Sequence, residues 1–273
     1  MRRLPVLATI REAYDFTFAN LGAIIGLIWL PMVLLTVGDF FVSRYVAAQM
    51  AAGFQNDGAL AQLLFLPMQI LLYAVVLVPV TQLALGQRQG GAMVHFGFGK
   101  PEWRLFRALL GLMLLVLVAA LTIAGVLGGG APGAAPLMPV AAAQSVLLLL
   151  VGATIYLMVR FTTLLLPLVV TEDKAVLQTS WTLTAGNFWP LLGVAAGSLL
   201  PIFFLLAMAT AAVLRRSLDP AAMPTMDSVN QAVAANLPLV MGLEFLVAPL
   251  LIGLAVGASV FSWRALGKTD LTV

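Results

Sequence analysis

Long apolar stretches with few charged residues inside them make up most of this chain. Each of six such stretches approaches or exceeds the roughly 20 residues that cross a bilayer as an α-helix. The pattern therefore predicts an all-α fold, a polytopic membrane helix bundle that forms a single integral membrane domain over residues 1–273. We predict six transmembrane helices at about 18–40, 60–85, 105–128, 140–162, 189–214 and 237–261.

Segments that mix polar and apolar residues precede the first, third and fifth predicted spans. This mixture predicts short amphipathic helices at the membrane interface. Residues 10–20 and 177–187 align with each other at apolar, aromatic, threonine and asparagine positions, whereas residues 96–107 match them poorly. The alignment favours a hypothesis of three repeats, each an interfacial helix followed by a transmembrane hairpin. The alternative is that apolar sequences align easily by chance.

The composition agrees with a membrane location and excludes several classes of function. The chain is 62% hydrophobic and 9% charged, with a mean hydropathy of +1.06, whereas soluble domains are about 25% charged. The basic residues stand at the ends of the apolar stretches, so we expect no nucleic-acid partner. Cysteine is absent, which excludes disulfides and thiolate chemistry. The partners we expect are membrane lipids and, as an alternative, another membrane protein or a second copy.

Lysine and arginine are distributed unequally between the two ends of the predicted spans. Eleven of the fourteen fall at one end, and three, Arg44, Arg215 and Arg216, fall at the other. Cytoplasmic loops of membrane proteins collect basic residues. This asymmetry therefore predicts a multi-pass protein with both termini in the cytoplasm.

The segment 160–189 carries a resemblance to a known family. It contains an arginine near the end of the fourth span, Pro167 in an apolar run, Glu172, and a short helix with Ser180 and Trp181 before an aromatic start of the fifth span. This pattern resembles a bacterial family of six-span inner-membrane proteins, related to the membrane domain of some glycerophosphodiester phosphodiesterases. The resemblance implies a place in the bacterial inner membrane. Most members have no known function, and no catalytic residue is carried over.

Ionisable residues inside the spans are costly in lipid and are therefore candidates for function. Two interpretations of Arg160 stay open. Its guanidinium reaches phosphates at the inner interface, with residues 161–170 lying near that interface, or it points into the bundle to pair with an acid or bind an anionic headgroup. Glu244, seven residues into the last span, is a proton-coupling carboxylate, a structural partner inside the bundle, or an acid near an external vestibule. Asp39 is expected at the external interface.

Several polar and small residues complete the set of candidates. Trp181 is a candidate for lipid or ligand contact, and the alternative is an interfacial anchor. Asn187 is a candidate for the same role, and the alternative is a helix cap. Glycines at small-xxx-small spacing, such as Gly253 and Gly257, predict helix-packing faces. We predict no catalytic residue, no metal site and no cofactor. The candidates for lipid or ligand contact are Arg160, Ser180, Trp181 and Asn187.

Three functional hypotheses of different class follow. The first is a non-catalytic membrane protein that handles lipids or contributes to envelope homeostasis, supported by the family resemblance and the amphipathic segments. The second is a small-solute transporter or channel, supported by the repeat hypothesis and Glu244. The third is an accessory or scaffold subunit that binds another membrane protein through its glycine faces. An enzyme is not expected, because the sequence contains no paired carboxylates, activated nucleophile or metal cluster.

Overall fold

The protein is an all-α bundle. The computed structural model describes residues 3–51, 55–88, 96–128, 140–171, 176–218 and 225–267, and no β-strand occurs in these ranges. The helices are α1 (Val6–Ala19), α2 (Leu21–Ala51), α3 (Gln55–Ala84), α4 (Lys100–Gly128), α5 (Val140–Thr162), α6 (Leu165–Thr171), α7 (Val176–Leu183), α8 (Phe188–Leu214), α9 (Met226–Ala235) and α10 (Leu237–Gly267).

Six helical segments are long and apolar enough to cross a membrane, as the sequence predicts. The first, fourth, fifth and last are longer than predicted, and α2 and α10 each contain 31 residues. At 1.5 Å per residue such a helix is about 46 Å long, and it must tilt or extend beyond the hydrocarbon layer of about 30 Å. The spans are Leu21–Gln49, Leu60–Ala84, Lys100–Thr122, Gln144–Thr171, Phe188–Ser217 and Leu237–Gly267.

A break divides the fourth span into α5 and α6. It falls at Thr163 and Leu164, directly before the turn that contains Pro167. Proline lacks a backbone N–H, and its ring clashes with the carbonyl four residues earlier, which here belongs to Thr163. Residues 161–170 pack inside the bundle, because Leu164 and Leu168 are fully buried and α6 contacts α3, α4 and α10. Their place near the inner interface stays a prediction.

The helix at the centre of the bundle is α10, which contacts α1, α2, α3, α6 and α8. From Ile252 to Val260 nearly every residue of α10 is buried, and several of these residues are glycine, alanine or serine. Small residues allow the backbones of neighbouring helices to approach closely in lipid. Ile252, Val256 and Val260 join residues of α2 and α3 in one apolar cluster. The first, second, fourth and fifth spans therefore contact the last one directly, whereas α4 packs against α3, α5 and α6.

The first helix lies lengthwise against α8. Close to its start, the backbone N–H of Leu4 donates a hydrogen bond to Asn187 Oδ1 at 3.4 Å. Further along, the Tyr14 hydroxyl donates to the carbonyl of Ser198 at 3.1 Å. The contacts advance together along both helices, so α1 and α8 run side by side in the same direction.

The same helix runs along α10 in the opposite direction. Ala13 lies beside Gly257, and a Cβ atom built on this glycine would stand 3.0 Å from the Ala13 Cα. Thr17 lies beside Gly253, where such a Cβ would be 2.6 Å from the threonine methyl group. Since Gly253 is close to the midpoint of α10, α1 lies alongside the spans and not across their ends.

The small-residue faces predicted for helix packing are thus covered within the chain. Besides the two glycines of α10, Gly197 of α8 faces Ile10 of α1, and Gly193 is in ordinary contact with Val6. The accessory-subunit hypothesis placed a partner protein on these faces. Because α1 contacts these glycines, the faces serve packing within the chain, and a partner protein stays a prediction.

Short helices precede two of the three spans for which they are predicted. These are α1 before α2 and α7 before α8, whereas α4 begins at Lys100 directly after the non-helical residues 96–99. α1 packs along α8 and α10, while α7 packs against α5 and α6. The two short helices therefore have different surroundings, and the hypothesis of three repeats stays a prediction.

The contact between α1 and α10 generates a stability prediction. We expect Gly257→Val to lower the free energy of unfolding by about 1–3 kcal/mol, because the added methyl groups push the Ala13 backbone away. Gly111→Val is the matched control, since Gly111 is exposed on α4 and a Cβ there meets nothing within 4 Å. Thermal unfolding in one detergent measures both variants. Equal melting temperatures would contradict close packing at Gly257.

Candidate functional site

Arg160 is buried where α5 meets α7, with only 7% of its surface exposed. Its guanidinium donates hydrogen bonds to Thr184 Oγ1 at 3.2 Å, to the Tyr156 hydroxyl at 2.9 Å and to the carbonyl of Trp181. The Arg160 Cζ also lies 3.6 Å from the centroid of a Trp181 ring, which is a cation–π contact. Neutral acceptors and an aromatic face therefore surround this positive charge. We call these residues, together with Ser180, the arginine cluster.

Two buried hydroxyl groups fasten α7 to the end of α5. Ser180 Oγ donates a hydrogen bond of 2.8 Å to the carbonyl of Arg160. That carbonyl is in the last turn of α5, where helix carbonyls lack partners within the helix. Thr184 Oγ1 donates to the Ser180 carbonyl at 2.7 Å and accepts from the Arg160 guanidinium. The two hydroxyls thus satisfy polar groups that the helix break leaves open.

The structure brings together three of the four residues predicted to contact lipid or ligand. Arg160, Ser180 and Trp181 meet in the arginine cluster, but Asn187 lies apart from the guanidinium and contacts Leu4. Asn187 stands at the N-cap position of α8, yet its side chain makes no capping hydrogen bond. The capping interpretation therefore places Asn187 correctly at the N-cap position, but the predicted capping hydrogen bond is not formed.

Sequence reasoning missed two members of the cluster, Tyr156 and Thr184. Tyr156 precedes Arg160 by four residues on α5, a spacing that places two side chains on one helix face. This signal was present in the sequence. Thr184 follows Ser180 by the same spacing, but its contact with Arg160 depends on how α7 folds back onto α5.

The contacts of Arg160 indicate a structural role. No carboxylate of the described residues lies within salt-bridge distance of its guanidinium, so the alternative in which it pairs with an acid is not found there. A buried donor without a partner costs about 1–3 kcal/mol, and here the donors have protein acceptors. The arginine cluster therefore ties α5 and α7 together at the helix break.

Glu244 lines a cavity of about 290 Å³, which we call the acidic cavity. Its walls come from α2, α3, α8 and α10, and Asp39 and Tyr73 also line it. Asp39, for which the sequence predicts a place at the external interface, lies within α2 and contributes to this wall. Its carboxylate accepts a hydrogen bond from the side chain of Gln69. Glu244 makes no hydrogen bond with any residue of the described ranges, so no structural partner for it is seen there.

A second recess, the apolar groove, lies between α2 and α10 and has a volume of about 470 Å³. Thr36, Met241 and Phe245 line both this groove and the acidic cavity. The two recesses are therefore neighbours with a common wall. The remaining residues that line the groove are apolar or glycine, namely Val33, Val37, Phe40, Phe41, Pro238 and Gly242.

The six apolar spans define this chain as an integral, multi-pass membrane protein. In the part of the chain that the structure describes, no group of three or more His, Cys, Asp or Glu residues is placed to hold a metal ion. No protein-family model, curated protein sequence or solved structure matches the chain. The resemblance to the six-span bacterial family therefore stays a prediction, and function has to be argued from the structure.

The arginine cluster generates a prediction that separates the positive charge of Arg160 from the shape of its guanidinium group. We expect Arg160→Lys to lower the free energy of unfolding by about 1–3 kcal/mol, because one ammonium group cannot reach three separate acceptors and leaves buried groups unpaired. Arg11→Lys is the matched control, since the Arg11 side chain is 83% exposed in a salt bridge with Asp15. Melting temperatures in one detergent measure both. A variant at Arg160 as stable as the control would contradict the structural role.

Proposed function

We propose that this protein is a non-catalytic membrane protein that binds a membrane amphiphile and acts in lipid handling or envelope homeostasis. The observation that carries the proposal is the common wall of the acidic cavity and the apolar groove. Thr36, Met241 and Phe245 belong to both recesses. A smaller recess that contains two carboxyl groups, beside a larger apolar one, matches the headgroup and the hydrocarbon chain of a lipid-like molecule.

The depth of the two recesses supports a ligand that comes from the bilayer. Glu244 is seven residues from the start of α10 at Leu237, which is about 10 Å along the helix axis. The apolar groove beside it includes Phe41, whose side chain is 66% exposed. An exposed apolar surface on a membrane span faces lipid, so a hydrocarbon chain can reach the groove sideways.

The proposal also specifies the membrane in which the protein lies and the side on which its termini lie. The excess of Lys and Arg at one end of the spans favours cytoplasmic termini, and the family resemblance favours the bacterial inner membrane. Arg264, near the end of α10, donates a hydrogen bond to the carbonyl of Ala84 at the end of α3, so both helices end on this basic side. Glu244 is close to the other end of α10, and the acidic cavity then belongs to the outer half of the bilayer.

A small-solute transporter is the second candidate, and the intramembrane carboxylates Asp39 and Glu244 favour it. A transporter also needs a route toward the other side of the membrane. Below the acidic cavity, the described residues pack tightly, with Ile28, Val80 and Val256 all buried in one apolar cluster. This packing favours binding from one side over passage through the bundle.

The apolar groove can be tested by filling it. We expect the protein, extracted in native lipid discs, to retain an amphiphile and Gly242→Trp to reduce that retention at least about tenfold, a loss of about 1.4 kcal/mol in binding. The indole ring occupies space that the hydrocarbon chain would use. Intact-mass spectrometry of the extracted protein measures the retained molecule.

The matched control is Gly152→Trp. Gly152 is exposed on α5, and like Gly242 it has no atom within 4 Å of a built Cβ, so its variant adds the same ring to a lipid-facing surface away from the groove. Wild-type protein that carries no amphiphile would contradict the proposed function. Equal retention by the two tryptophan variants would contradict the groove as its place.

A further inference from the structure

The acidic cavity contains two carboxyl groups without a basic partner in the described residues. Asp39 and Glu244 line the same cavity, and the salt bridge found in the described ranges involves neither of them. Arg44, the basic residue of α2, has its guanidinium over the Phe40 ring, with 5.7 Å between Cζ and the ring centroid. In their ionised form these two carboxyl groups have no basic side chain among the described residues that line the cavity to neutralise them.

Aromatic rings in the wall of the cavity favour a positively charged ligand, as the two carboxylates do. Tyr73, Phe203 and Phe245 line it beside the two carboxyl groups. The faces of aromatic rings attract cations, and the attraction is stronger where water is excluded. The cavity thus brings together carboxyl groups and aromatic rings, two kinds of side chain that bind cationic groups.

We propose that the acidic cavity recognises a cationic headgroup, an amine or quaternary ammonium, on the amphiphile whose hydrocarbon chain occupies the apolar groove. This inference rests on the proposed function and names the ligand class of the same site. A bound cation compensates two acids that lipid otherwise disfavours. The cavity volume of about 290 Å³ is at the lower end of ligand pockets, which restricts the polar part to a small headgroup.

Two probes with the same hydrocarbon chain test the inference. Hexadecyltrimethylammonium and hexadecanol are added at equal trace concentration to the full-length protein in neutral dodecyl-maltoside micelles. The molecules retained per protein are counted by mass spectrometry after gel filtration and corrected with empty micelles. We expect wild-type protein to retain the cationic probe at least about tenfold better than the alcohol.

Variants that remove one carboxylate show which residues provide the selectivity. Glu244→Gln and Asp39→Asn should each reduce retention of the cationic probe toward that of the alcohol, while retention of the alcohol stays unchanged. Asp39→Asn keeps an acceptor for Gln69 and so preserves the hydrogen bond. Glu12→Gln is the matched control, because Glu12 is exposed on α1 and does not line the cavity.

The outcomes separate this inference from the proposed function. Equal retention of both probes, with both lost in Gly242→Trp, would overturn the cationic preference and leave amphiphile binding intact. Retention of neither probe would overturn amphiphile binding itself. A cationic preference that persists in both carboxylate variants would overturn the assignment to Asp39 and Glu244.

Discussion

The close contact between α1 and α10 at Gly257 is the interaction on which the arrangement of the bundle depends. In lipid, the hydrophobic effect does not drive helices together, so association relies on van der Waals contact at small residues. The Ala13 Cα occupies a position only 3.0 Å from where a Cβ on Gly257 would be. This contact holds the N-terminal helix between α8 and α10, and α10 in turn supports α2, α3 and α6.

The ionisable residues inside the bundle fall into two different situations. Arg160 is surrounded by acceptors from neighbouring helices and an aromatic ring, so its charge is compensated within the protein. Glu244 and Asp39 line a cavity, and of the two only Asp39 has a hydrogen bond in the described ranges. A compensated charge contributes to architecture, whereas an uncompensated pair facing open space is available to a ligand. This difference is why the proposals concern the acidic cavity and not the arginine cluster.

The sequence predicted the spans well because a bilayer demands about 20 apolar residues wherever a helix crosses it. It also identified Arg160 and Trp181, which lie close together in the chain and meet through a short hairpin. The acidic cavity was not predictable, since Asp39 and Glu244 are about 200 residues apart and line one cavity only because α2 packs against α10. The position of α1 was missed for a similar reason. An amphipathic pattern indicates an apolar face, but it does not say whether lipid or protein covers that face.

The position of α1 has a consequence for how the protein is made. α1 precedes the six described spans in the chain, yet the groove that receives it is formed by α8 and α10, which follow much later. Until α10 has entered the membrane, Ala13 and Thr17 have no glycine surface to contact. Until then α1 lies outside this groove, and its amphipathic character suits it to the membrane surface. The packing of α1 against these two helices can therefore be completed only after α10 has been synthesised.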